Sequence, residues 1–196
     1  LDANTSGNNN TAVGQNALGA NTTASDNVAV GTAAGDAITT GGQNVAIGAG
    51  ALGAVTTTTG NVAIGYNALD ASATGTQNCV AIGTSALGAL TASGSGTTPS
   101  IGIGYNALAG ATSGTNNIAI GAWTMDAVVT GVSNVALGNS ALTAVTSGGS
   151  NTAIGQSAGD ALVDGSNNTI IGKDADAAAT NTSNSVTLGN GSISVL

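Results

Sequence analysis

The sequence predicts an all-β fold, a β-solenoid of about ten to eleven rungs, and three observations support this class. A block of the form Asn-Val-Ala-Ile-Gly recurs along the chain, which is the mark of a repeat architecture. Its glycines keep a 17-residue period in eight of ten intervals. Bulky and small apolar residues alternate before each glycine, as a short strand requires. The repeat glycines are Gly14, Gly31, Gly48, Gly65, Gly83, Gly104, Gly121, Gly138, Gly155, Gly172 and Gly189.

Each block predicts one strand that is apolar on both faces. The positions three and one before the glycine carry Val, Ile, Leu or Thr, and the position between them is Ala in most rungs. Because both faces are apolar, we expect both to be covered. We predict that the bulky face fills the core of the coil. The alanine face would then pack against other chains, where a small side chain allows backbones to approach closely.

The segment after each glycine predicts a second extended element. Ala is usual at its third and sixth positions, Leu at the fourth and Thr at the eighth. Such a segment is too short for a stable helix once the turns are subtracted. Its threonine-rich half favours a strand, and polar, glycine-rich turns such as Thr40–Gln43 close the rung.

Asparagine and glycine columns are expected to hold the rungs together. Like residues of stacked strands lie about 4.8 Å apart, so side-chain amides can bond along the stack, and the whole rod would be roughly 48 Å long. The glycines stand where the chain turns and positive φ costs glycine little. The structural columns comprise Asn27, Asn44, Asn61, Asn117, Asn134, Asn151 and Asn168 with Gly31, Gly48, Gly65, Gly121, Gly138 and Gly155.

Two intervals depart from the period. The one between Gly65 and Gly83 is longer by a single residue and contains Cys79, which we interpret as a small buried hydrophobic residue at a bulge. The next interval, which ends at Gly104, is longer still. There Ser100 replaces the asparagine, and a loop from Ser93 to Pro99 is expected to project from the column.

Composition excludes several functions. The chain has one basic residue, Lys173, nine acidic residues and a net charge of −8, so it cannot neutralise a nucleic-acid backbone. It has no His and one Cys, which leaves little general-base, nucleophilic or zinc chemistry. No apolar run is long enough to span a membrane. We therefore predict a protein that is not an enzyme, with no catalytic residue, cofactor or metal ion, no nucleic-acid partner and no membrane insertion.

The block Asn-Val-Ala-Ile-Gly-x-x-Ala-Leu resembles the head repeats of YadA-like trimeric autotransporter adhesins over about residues 10 to 189. This resemblance implies a homotrimer in which each chain forms a left-handed parallel β-roll. The variant with Asn-Thr-Ala-Ile-Gly blocks also resembles repeats of bacteriophage tail fibres and bacterial surface proteins. The family's repeats are usually somewhat shorter than those of this chain, so rung geometry is expected to differ.

The C-terminal segment carries a second resemblance. Asn184–Ile193 is similar to the stretch that often precedes a self-cleaving intramolecular chaperone in such fibres. The expected organisation is a lead-in at 1–9, a YadA-like β-roll at 10–189 and an exit at 190–196 to a missing or cleaved segment.

Three aromatic residues form the candidate contact surface. Tyr66 and Tyr105 each follow a repeat glycine, and Trp123 lies one position further on in the next rung. They are interpreted either as a strip that stacks on sugars or as ordinary corner packing. A column of aspartates, including Asp36, is attributed to solubility rather than to calcium binding.

The leading functional prediction is a structural and adhesive fibre module that presents weak contacts in three copies. Its predicted partners are itself, as a homotrimer, and a glycan or protein receptor on a host cell surface. A bacteriophage tail fibre on the virion is favoured. The alternatives are a bacterial cell-surface adhesin head or other extracellular filament, an ice-binding solenoid with threonine ladders and a polysaccharide-cleaving fibre.

Overall fold

Eleven parallel strands confirm the predicted β-solenoid. The computed structural model describes residues 1–71, 76–90, 99–127 and 129–191, and no helix occurs in these ranges. The strands form one sheet in chain order, so each rung stacks on the one before it. They are β1 Thr11–Val13, β2 Val28–Val30, β3 Val45–Ile47, β4 Val62–Ile64, β5 Val80–Ile82, β6 Ile101–Ile103, β7 Ile118–Ile120, β8 Val135–Leu137, β9 Thr152–Ile154, β10 Thr169–Ile171 and β11 Val186–Leu188.

The strand register is the same at every step, including the two irregular intervals. Ala46 pairs with Ala63 in a regular step, and Ala81 pairs with Gly102 across the longest interval. The chain is in register again at the strand that follows each of these intervals. Most of the loop predicted from Ser93 to Pro99 lies outside the described residues, as does most of the exit predicted at 190–196.

The prediction of which strand face forms the core was wrong. The small central residues point into the coil: Ala29 and Ala63 are fully buried. The bulky residues on either side point outward, and Val30 and Ile47 keep 37% and 38% of their surface exposed. One chain thus encloses the alanines and leaves its aliphatic residues on the outside.

The reason is the narrow interior of so short a coil. The leucines four positions after the repeat glycines are fully buried and reach the central strand position. A Cβ added to Gly102 would lie 3.2 Å from Leu87 Cγ, so the space there suits only a small residue. A larger residue occupies the same position in β10, where Ile170 replaces alanine and is fully buried. It is accommodated because Gly159 stands where the leucine would be, and its added Cβ would lie 3.0 Å from Ile170 Cδ1.

The second segment is a chain of turns and not the predicted strand. In the first rung, the Ala17, Gly19 and Asn21 N–H groups donate to carbonyls three residues earlier, while the Leu18 N–H donates to Ala34 O in the next rung at 3.0 Å. Asn16 and Leu18 are left-handed, with φ of 59° and 50°. Backbone hydrogen bonds within each turn alternate with backbone hydrogen bonds to the next rung, and this pattern takes the place of a second sheet. Leucine adopts the left-handed conformation here, where its side chain is buried in the core.

The repeat glycines have φ between 128° and 141° from Gly14 to Gly172, as predicted for a turning point. The backbone of the next rung also lies very close. A Cβ on Gly138 would lie 2.6 Å from Gly155 C and closer still to Gly155 O. A side chain at this column would therefore force neighbouring rungs apart, which explains why the column is invariant within the chain.

Candidate functional site

An aliphatic face runs along the outside of the sheet. It consists of the residues three and one positions before each repeat glycine. The residues at the second of these positions in β2, β3, β7, β8, β9 and β10 are 37–44% exposed. No residue of this face carries a charge. A continuous apolar strip of this kind marks an interaction surface more often than a solvated one. The face comprises Thr11, Val13, Val28, Val30, Val45, Ile47, Val62, Ile64, Val80, Ile82, Ile101, Ile103, Ile118, Ile120, Val135, Leu137, Thr152, Ile154, Thr169, Ile171, Val186 and Leu188.

Buried asparagines join the rungs from inside. Asn44 donates from both its backbone N–H and its Nδ2 to Asn27 Oδ1, at 3.0 and 3.1 Å. Its Nδ2 also donates to Thr58 O, on the turn that closes its own rung, at 2.9 Å. The same pattern recurs at Asn151, which bonds to Asn134 and to Gly165 O. Each amide therefore joins two strands and the closing turn, and its polar groups are satisfied although it is buried.

This asparagine ladder is interrupted in β5 and β6. Cys79 and Ser100 hold the two positions, and both are buried. The Cys79 N–H still donates to Asn61 Oδ1 at 3.0 Å, and the Asn117 N–H reaches Ser100 Oγ at 3.3 Å. Cys79 is thus in register within the column, and the bulge predicted at this residue was wrong because its N–H bonds as an asparagine N–H of the column does and Val80 pairs with Val62.

A surface cavity of about 300 Å³ lies beside this interruption. The side chains around it come from β5, β6 and β7 and from the residues just before them. The lining residues are Asn78, Val80, Pro99, Ser100, Ile101, Asn116, Asn117 and Ile118.

The three aromatic residues lie at the corner that follows the strands. Tyr66, Tyr105 and Trp123 are 58%, 48% and 42% exposed. The rings of Tyr105 and Trp123 meet edge to face, with centroids 4.8 Å apart and an interplanar angle of 73°. Tyr66 lies two rungs before Tyr105. None of the three belongs to the buried core, so burial does not account for their positions.

The aspartates are spread along the coil. Burial raises the pKa of Asp70, and the neighbouring charge of Asp36 raises it further. Burial likewise raises the pKa values of Asp126 and Asp176. Among the described residues, no group of three or more His, Cys, Asp or Glu side chains could hold a metal ion. Lys173 forms an ion pair with Asp174.

The threonine column does not present free hydroxyl groups in the rungs where its bonds are described. Thr22 Oγ1 donates to Thr39 O at 3.1 Å, and Thr39 Oγ1 donates to Thr56 O at 3.2 Å. These hydroxyls bond between rungs, which gives no support to a threonine ice-binding face. Across the described ranges, no helix is long and apolar enough to cross a membrane.

The exposure of the aliphatic face was not predicted from the sequence, although the sequence contains a signal for it. A large residue, Ile170, replaces alanine where a small residue, Gly159, replaces leucine, which indicates that the two columns share the interior.

The fold defines the chain as a β-solenoid repeat protein. Comparison with family models, curated proteins and solved structures finds no match.

Proposed function

We propose that the chain is a non-enzymatic structural and adhesive module of a fibre, in which three copies assemble through their aliphatic faces. One observation carries the proposal: the aliphatic face, in which no position is buried, continues over all eleven strands of one chain. Water contact with so much apolar surface is unfavourable, at about 25 cal/mol per Å². A partner that covers the strip would remove that cost.

A second copy of the same chain fits this face. The face is uncharged, so identical copies meet there without electrostatic repulsion despite a net charge of −8 per chain. Its side chains repeat in register at about 4.8 Å, so another copy offers ridges of matching spacing. The number three rests on the resemblance of the repeat to trimeric YadA-like heads.

The proposed setting is a bacteriophage tail fibre that attaches to a host surface. The similarity of Asn184–Ile193 to segments preceding a chaperone favours this setting. A bacterial surface adhesin head would use the same repeat and the same assembly. In either setting the partner is a glycan or protein receptor of a cell surface, and three copies of each contact raise the avidity of weak binding.

Native mass tests the assembly directly. We expect light scattering to give the mass of three chains, and we expect this mass to persist in detergent without heating. The double variant Ile120→Lys/Leu137→Lys places cations on the aliphatic face and should give single chains. A single-chain mass for the unmodified protein would contradict the proposal.

A matched control separates assembly from general effects of charge. The double variant Ser113→Lys/Ser147→Lys adds the same two cations at exposed positions outside the aliphatic face and should leave the three-chain mass unchanged. If this control also dissociates, the effect of the double variant is one of net charge and says nothing about the face.

A further inference from the structure

We infer that Tyr66, Tyr105 and Trp123 form a stacking platform for an extended neutral polysaccharide. This inference deepens the proposed function, on which it rests for its setting, by naming a ligand class for the adhesive contact. The platform is the corner formed by the two positions after the repeat glycines in the rungs of β4 to β7.

All the aromatic residues of the chain are on this corner. The sequence contains two Tyr, one Trp and no Phe, and the three rings fall within four consecutive rungs. Their exposures of 42–58% contrast with the fully buried leucines of the core. About half of each ring surface is therefore open to a ligand, although the core of the coil does not need it.

The fold itself does not require aromatic residues here. Equivalent positions in other rungs hold Gln15, Thr32, Asn16 and Ser140. Trp123 also has a left-handed backbone, with φ of 59°, which suits Asn or Gly much better than a bulky residue. The fold imposes this conformation in other rungs as well, where the position holds Asn16, Asn106 or Ser140. An indole is thus an exception in a column of small and polar residues.

The corner has the chemistry of a site for neutral sugars. The C–H-rich face of a sugar ring packs on an aromatic face, and an edge-to-face pair presents one ring face and one ring edge to the ligand. The neighbouring positions are Thr84, Asn106 and Ala122, which are uncharged, and the first two can hydrogen-bond to hydroxyl groups. No cation lies in these four rungs, so an anionic glycan would find no counter-charge.

The spacing favours an extended chain over a single sugar. Tyr66 and Tyr105 are separated by two rungs, about 10 Å, while Trp123 adjoins Tyr105 one rung further along. A polysaccharide lying along the solenoid axis would contact the aromatic rings in succession. An isolated sugar would reach one ring or the closely packed pair.

The test uses variants that copy residues the fold already accepts at these positions. The triple variant Tyr66→Thr, Tyr105→Thr, Trp123→Asn places at each site a residue found there in other rungs, as at Thr32 and Asn16. Probes are a soluble β-glucan, a neutral galactan and chitin oligomers, with a sulfated galactan as the anionic counterpart. Val132→Ser removes an exposed apolar side chain elsewhere and serves as the matched control.

We expect at least one neutral probe to bind, with a shift in the emission of Trp123, the only tryptophan. The triple variant should lose at least tenfold in affinity for that probe by calorimetry, and Val132→Ser should bind as the parent does. Preference for the sulfated galactan, no binding of any neutral probe or undiminished binding by the triple variant would overturn the inference.

Native mass measured on the same samples distinguishes the two proposals. A three-chain assembly that binds none of the neutral probes overturns the platform and leaves the fibre module standing. A single chain that binds through its aromatic residues overturns the trimeric assembly and supports the platform.

Discussion

The rungs of β7 to β10 and those of β5 and β6 differ in how their polar interior is built. In the first region the asparagine ladder is continuous from Asn117 to Asn168, with each N–H bonded to the preceding amide oxygen. In the second, Cys79 and Ser100 interrupt it, yet strand pairing continues without a shift. Register is thus kept where the asparagine is replaced, and the glycine column is the one that continues unchanged through both regions.

The glycine column should show the largest effect in either region. Gly138→Ala places a Cβ 2.6 Å from the backbone carbonyl carbon of Gly155 at a φ of 141°, and we expect a loss of about 2–4 kcal/mol in the free energy of unfolding. Denaturant titration measures it. The control is Gly191→Ala, where an added Cβ meets nothing within 4 Å. An equal effect of both changes would contradict the proposed role of close approach between rungs.

The asparagine ladder should show the next largest effect, and only where it is continuous. Asn134→Ala removes the acceptor of the Asn151 N–H and the donor to Gly148 O, leaving buried polar groups without partners. We expect a loss of about 2–3 kcal/mol. Ser100→Ala removes one bond of 3.3 Å and should cost about 1 kcal/mol or less. Similar losses at both sites would show that the two regions are equivalent.

Restoring the asparagine ladder should increase the free energy of unfolding, by less than the preceding variants decrease it. Ser100→Asn returns the consensus side chain next to Asn117, and we expect about 1 kcal/mol of added stability, seen as a higher melting temperature. Ser185→Asn makes the same exchange at β11, where the column ends. A decrease in stability for Ser100→Asn would contradict this expectation, because it would mean that the amide cannot form the bonds of the ladder beside Asn117.

Acidification should stabilise the coil slightly. Folding raises the pKa values of Asp70, Asp126 and Asp176, so the folded state binds protons more tightly than the unfolded chain. Stability therefore increases as pH falls from 7 through these pKa values towards the unfolded value near 4. Melting temperatures at pH 7 and pH 4 test this. Asp70→Asn should reduce the difference, and a fall in melting temperature on acidification would contradict it.

The sequence determined the solenoid, its period and its turning points, because a constant spacing of identical residues can be read directly along the chain. The orientation of each strand was decided by the tertiary structure. Both strand faces are apolar, so alternation does not indicate which side is interior. A leucine opposite leaves room only for a small residue, and Ile170 fits because Gly159 stands in place of that leucine. The tertiary structure also decided that left-handed turns take the place of a second strand, because the Ala-Leu pattern alone does not indicate positive φ angles. The alignment of Cys79 with the asparagines, in contrast, is readable from the sequence, because Cys79 stands four positions before a repeat glycine as each asparagine does.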